Sequence, residues 1–181
     1  MGGSRSRWRW LGGVLLFALA SGQAAGEEQF NLAVAFGAGS QTSGVGMQVD
    51  GTWWPGVNGD LALTAYLGAG SLPDSTFGWL DTVRPASGVI ASIGHRHRFL
   101  VDMGVGRIGF DGRTVATATW SVTVRTEWYA VSTSLGYEFM SDRGLFFRIC
   151  AGAGYLLTGR APEGWPSVSP TGNLALGIQF L

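Results

Sequence analysis

Lysine is missing from this sequence: all twelve basic residues are arginines. Charge is scarce altogether, at 13% of residues, about half the usual quarter. There is one cysteine, Cys150, so an intramolecular disulfide framework is excluded. Cys150 also lacks metal-ligand partners at zinc-finger spacing and reads as a small packed residue. Nowhere does an uninterrupted apolar run reach 18 residues, so no helix is long enough to cross a bilayer. Three arginines (Arg5, Arg7, Arg9) sit in the first ten residues. Beyond residue 26, nine arginines face twelve carboxylates, a net charge of −3. A basic nucleic-acid footprint is therefore absent.

Glycine and aromatics are plentiful: 30 glycines in 181 residues, with 12% aromatics. Disordered chains are poor in aromatics and rich in charge. Six prolines and no G-X-Y period exclude collagen. Interior glycines cost a helix about 1 kcal/mol each, which disfavours a helical bundle. A sheet protein with unusual surfaces is what remains.

The first 26 residues read as a secretory signal peptide. A basic start (Met1–Trp10) leads into the apolar run LGGVLLFALA and then the small-residue stretch SGQAAG. Cleavage is expected after Ala24, Ala25 or Gly26. The domain proper is then 27–181.

Over 27–181 the dominant period is two, the signature of strands. In NLALGIQFL, Leu174, Leu176, Ile178 and Phe180 alternate with Asn173, Ala175, Gly177 and Gln179. Similar alternation begins at Phe30, Val45, Leu61, Phe99, Tyr129 and Leu145, with a weaker strand over 88–95. This makes eight strands of about 8 to 13 residues, against about 9 to 11 for a bilayer-crossing strand. The connections alternate. PGVNG (55–59), HRH (95–97) and MSDRG (140–144) are short; 71–87, 110–126 and 158–169 are long. The connection 40–44 is brief but falls with the long set. The stretch TVATATWSVTVR (114–125) is itself strand-like and follows Asp111-Gly112, a hairpin signal. It is expected to project as a β-extension. A ten-strand count, drawing also on 71–87, stays open.

One face of these strands carries large apolar residues; the other is rich in Gly, Ala and Ser. Small residues suit the interior of a narrow eight-stranded barrel, where side chains only just fit. The apolar face then meets lipid. Phe30, Trp53, Phe99, Phe139, Phe147 and Phe180 lie near the short-turn ends, and Tyr129 and Tyr155 near the other. These are the expected membrane-interface aromatics.

With these features the chain resembles the small outer-membrane β-barrels of the OmpA/OmpX type. The resemblance rests on the leader, the eight alternating strands, the alternating connections and a last strand ending in an aromatic. It implies an all-β, eight-stranded antiparallel transmembrane β-barrel in the outer membrane. It also implies membrane lipid as surroundings and recognition of the C-terminal strand by the outer-membrane assembly machinery. Phe180 matches the terminal aromatic, but Leu181 follows it.

Four charges, Asp50, Asp102, Glu138 and Arg148, fall on the interior face. Buried charges must be paired, so an arginine bridging carboxylates across the lumen is expected, as a structural plug or a gate. His95 and His97 flank Arg96 in a short turn beside Arg98, a poor cation site, so no metal and no cofactor is expected. A lipid-deacylating enzyme would need a serine and a histidine base at the outer rim. Both histidines belong to an inner turn and Ser92 lies partway along its strand. No catalytic residue is assigned. Arg107, on the apolar parity at the long-loop end, is expected to anchor at headgroup level. The function expected is non-enzymatic: structural, adhesive or surface-interacting, toward an unknown ligand of the long loops. The alternatives are a narrow pore, a lipid-modifying enzyme, and a secreted soluble barrel with its apolar face inward around an apolar ligand.

Overall fold

The computed structural model describes residues 29–55, 60–72, 82–116, 121–158 and 167–180. The expected leader, 1–26, lies outside the described residues. Eight strands form one closed antiparallel barrel: β1 (Gln29–Gly39), β2 (Gly44–Trp54), β3 (Leu61–Ser71), β4 (Arg84–Ile93), β5 (His97–Ala116), β6 (Ser121–Met140), β7 (Leu145–Thr158) and β8 (Val168–Phe180). Each strand pairs with the next, and β1 closes on β8 from Leu32↔Phe180 to Gly39↔Asn173.

The two strand prolines occur only where a proline is tolerated, at a position with a free edge. Pro85 pairs with Ala69 before the β4–β5 ladder begins at Ser87↔Val105. Pro170 pairs with Ala153 on β7, beyond the end of the β1–β8 ladder.

Two expectations are corrected. The stretch 114–125 is not a strand of its own. Thr114–Ala116 end β5 and Ser121–Arg125 begin β6, with Val115 opposite Val122. Asp111-Gly112 is therefore ladder, not turn. Secondly, β4 begins at Arg84, so the preceding long connection is shorter than expected. No further crossing exists among the described residues, and the ten-strand count falls.

β5 and β6 are each 20 residues long. β4 leaves β5 at Val105, and β7 leaves β6 at Tyr129. From Gly109↔Trp128 to Ala116↔Ser121 the two strands continue, without a further paired strand among the described residues, as a ribbon of eight pairs. At about 3.4 Å per residue that is roughly 27 Å.

The polarity is inverted relative to a water-soluble protein. Leu32, Val49, Leu67, Val101, Leu135, Ile149 and Leu176 are exposed on the outer face. Asp50, Asp102, Glu138, Arg98 and Arg148 are buried inside. The interior apolar groups form only small clusters, Phe146 with Ala33, Ala35 and Ala175, and Tyr66 with Ile90, Leu100 and Cys150. The soluble barrel with its apolar face inward is thereby contradicted.

Candidate functional site: a charged and plugged lumen

Alternation sends even-numbered residues of β5, β6 and β7 inward below the rim. That parity delivers Arg98 and Asp102, Glu138, and Arg148 into one lumen. Even numbers on β2 deliver Gln48 and Asp50. At the short-turn end, Arg148 spans the space between two strands' carboxylates. Its Nε and Nη2 donate to Glu138 Oε2 at 2.8 and 2.7 Å. Its Nη2 also lies 3.1 Å from Asp50 Oδ2. Arg98 Nη1 holds the other oxygen of Glu138 at 2.8 Å. The Arg98 guanidinium stacks 4.4 Å above the Trp54 ring. Gln48 donates to Asp50 Oδ1 at 2.6 Å.

Asp102 is brought less close to this group. It takes a hydrogen bond from Ser134 Oγ at 3.0 Å, two inward-facing positions along β6 from Glu138. Tyr66 lies along the inner wall there, over β4 and onto β5: a Cβ on Gly88 or Gly104 would collide with its phenol oxygen. Three of the four expected charges thus share one cluster, the fourth lies beside it, and Arg98 completes it. Arg98 was absent from the expected set although its parity matches Leu100 and Asp102; its neighbours in the HRHR turn masked the signal.

A second feature was not among the expectations. The β1–β2 connection does not face water. It forms a single 3₁₀ turn, Ser40–Thr42, folded down into the barrel mouth, and Ser40 through Ser43 are all buried. Gln41 N donates to Asn173 Oδ1 at 2.8 Å, and Ser43 Oγ donates to the Pro85 carbonyl at 2.9 Å. Arg107 N donates to Ser43 Oγ at 2.9 Å. Side-chain-free positions make the room. A Cβ at Gly68 would overlap the Gln41 carbonyl, one at Gly70 that of Thr42, and one at Gly106 that of Ser40. Ser43 itself sits at φ 53°, the left-handed region, as the chain turns back into β2. The readable signal was the inward glycines of β3 and β5.

Arg107 is a correction. It does not reach outward to headgroup level. A bulge between Arg107 and Gly109 breaks the alternation, so Gly106 and Arg107 are both buried. Its Nη1 approaches Glu127 Oε1 at 3.2 Å, while Arg84 Nε holds Glu127 Oε2 at 2.6 Å. Burial pushes the Glu127 carboxyl up, but the hydrogen bonds and charges of Arg84 and Arg107 outweigh it and hold it below its ordinary value.

The expected interface aromatics lie as follows. Phe30, Trp53, Phe99, Phe139, Phe147 and Phe180 are exposed near the short-turn ends of their strands, and Tyr155 toward the other end. Tyr129 is half-buried, its hydroxyl 3.4 Å from Glu127. His95 lies 2.8 Å from Asp60, and His97 Nδ1 contacts the Tyr137 hydroxyl, both at the short-turn end.

No protein-family model and no curated protein sequence matches the chain. Among solved structures it is similar to the N-terminal β-barrel domain of Pseudomonas aeruginosa OprF, with a TM-score of 0.44 and 12% identity over 85% of this chain and 100% of that one. It is also similar to the Yersinia pestis outer membrane protein Ail in a phospholipid bilayer nanodisc, with a TM-score of 0.41 and 10% identity over 84% of this chain and 100% of that one.

Proposed function

We propose that this chain is an integral outer-membrane barrel with a closed lumen. Its role is structural and surface-interacting, carried by the ribbon of β5 and β6 and the neighbouring connections. The inverted polarity carries the reading: apolar side chains coat the outside while six charged residues are packed inside. In lipid a sheet must satisfy every backbone group, which a closed barrel does. The secretory leader expected at 1–26 supports the route, and β8 ending in Phe180 supports engagement by the assembly machinery. Placed this way, the short turns face the periplasm and the ribbon stands outside the cell, where its β-edges and the adjacent connections meet a partner.

Two barriers in series argue for closure: the Arg148 bridge at one level and the Ser40–Thr42 turn at another. The absence of a rim histidine argues against the lipid-modifying alternative, since both histidines lie at the opposite end. The test pairs two measurements on one preparation. Heat-modifiable gel migration should report a folded membrane barrel, and planar-bilayer recording should give no steady conductance. An unshifted band would defeat the membrane reading. A steady conductance with a shifted band would defeat closure alone.

A further inference from the structure

At the barrel mouth lies a cavity of about 250 Å³. Ala38, Val45, Leu72, Ile108, Pro170 and Gly172 contribute to its wall, and so does Ser40 of the inward turn. Arg107 and Thr171 border it without presenting their polar groups: the Arg107 side chain is wholly buried, and so is Thr171 Oγ1. The lining is therefore mostly carbon.

The barrel wall is low beside this cavity. β1 and β2 stop at Gly39 and Gly44, because the chain turns inward there. β8 runs on without them: from Gly172 to Val168, five residues pair with β7 alone among the described residues. At about 3.4 Å per residue that notch is roughly 17 Å along the strand. It ends with Val168 opposite Tyr155, an exposed aromatic of the outer end, so it lies on the bilayer side of that level. The edge of β8 suits hydrocarbon. Leu156 N donates to the Ser167 carbonyl at 3.3 Å. Alternation along an antiparallel ladder then turns the nitrogen of Pro170 away from β7, toward the notch. Its ring leaves no N–H there to be stranded in lipid.

The cavity is continuous with the lipid-facing surface. Ala38 pairs with Val45 on one side and Leu174 on the other. All three are exposed on the outer face, and the first two are also cavity wall. Water is a poor occupant of a carbon-lined space, since each molecule needs about two to four polar partners. An empty space forfeits dispersion contacts at every lining atom. A neighbouring acyl chain is flexible and already free of water, and fills the space at neither cost. We propose, resting on the membrane placement given above, that the notch admits the acyl chain of an outer-leaflet lipid into the mouth cavity, over the Ser40–Thr42 turn.

The test uses the processed chain, deuterated except at its amides, in nanodiscs of dimyristoyl phosphatidylcholine. Nuclear Overhauser contacts from acyl-chain methylene protons to the amides are recorded. Val101 and Leu176, on the outer face, serve as references and should show them. The Ser40 amide, carried inside the barrel, should show one too. Ala38→Trp fills the cavity from an exposed position and should abolish the Ser40 contact while both references keep theirs. Val45→Trp, exposed on the same wall, should do the same and stands in should the first variant misfold. Contacts at Val101 and Leu176 with none at Ser40, or with water alone at Ser40, overturn the proposal. A Ser40 contact undiminished in a folded tryptophan variant overturns it as well. Absence of lipid contacts at the two references is instead a failure of the membrane-barrel reading, and the proposal falls with it.

Discussion

Replacing Arg148 with methionine removes the cation that bridges Asp50 and Glu138 across the lumen. Three contacts vanish: two to Glu138 at 2.8 and 2.7 Å, and one to Asp50 at 3.1 Å. The losses are unequal. Glu138 keeps Arg98 at 2.8 Å. Asp50 keeps only the neutral Gln48 amide at 2.6 Å, so the stranded charge is Asp50's. Leaving a buried charge without its partner costs about 3–5 kcal/mol. Replacing Asp50 by asparagine in the same chain removes that charge, and the double variant should recover most of the loss, ending about 1–2 kcal/mol below the parent. Urea unfolding in lipid vesicles, followed by the heat-modifiable band and tryptophan fluorescence, measures all three free energies. If the single variant loses under about 1 kcal/mol, or the double loses as much as the single, the bridge does not neutralise Asp50 and the reasoning is refuted. The same single variant should still conduct no ions, because the Ser40–Thr42 turn blocks the lumen at a different level.

Gly106→Leu should expel the inward turn, since even a Cβ there overlaps the Ser40 carbonyl. Three hydrogen bonds to the turn are at risk, those of Gln41, Ser43 and Arg107 N. At about 1 kcal/mol each the loss should be about 3 kcal/mol, and hydrogen exchange at Gln41 N should accelerate; an unchanged rate would show that the turn does not depend on this space. Leu176→Arg puts a charge on the exposed middle of β8, at about 2–4 kcal/mol if that level is the bilayer midplane. Membrane assembly should fail on a heat-modifiable gel, and normal assembly would contradict a lipid-facing outer surface. Glu127 should titrate below the ordinary glutamate value of about 4.3, because its folded pKa is lowered. Its contribution to stability is therefore complete above the unfolded value and lost as pH falls through the folded one. A carboxyl-carbon NMR titration with a midpoint at or above the ordinary value would count against the shared Arg84–Glu127–Arg107 contact.

Strand identity and facing were legible because the period is two and one face is large and apolar. In β8, Leu174, Leu176 and Ile178 sit outward and Asn173 and Ala175 inward, as their spacing implies. The β5–β6 turn was not legible. TVATATWSVTVR offers β-formers throughout, and the connection at 117–120 contains no Gly, Pro, Asn or Asp, whereas Asp111-Gly112 mimics a hairpin inside a straight ladder. The lumen charges could be read from parity. The position of Arg107 could not, because a single bulge reverses facing and parity carries no sign of it beyond the flanking Gly106 and Gly109. The inward turn was hidden for a related reason. SQTS is as polar as a solvated turn, and its burial depends on vacancies in strands 25 to 66 residues away.

Closure of β1 on β8 also constrains how the molecule comes to exist. Leu32 must find Phe180, so the pairing that completes the wall is the most distant in sequence. Distant pairings form slowly, because the intervening chain loses entropy before the contact returns anything. Until they form, both strands carry rows of unmatched amides and carbonyls, each costing several kcal/mol in hydrocarbon. The chain therefore cannot enter the bilayer strand by strand and wait. Insertion and circularisation must be one concerted event, and a protein stalled before it should remain at the membrane surface, sensitive to proteases.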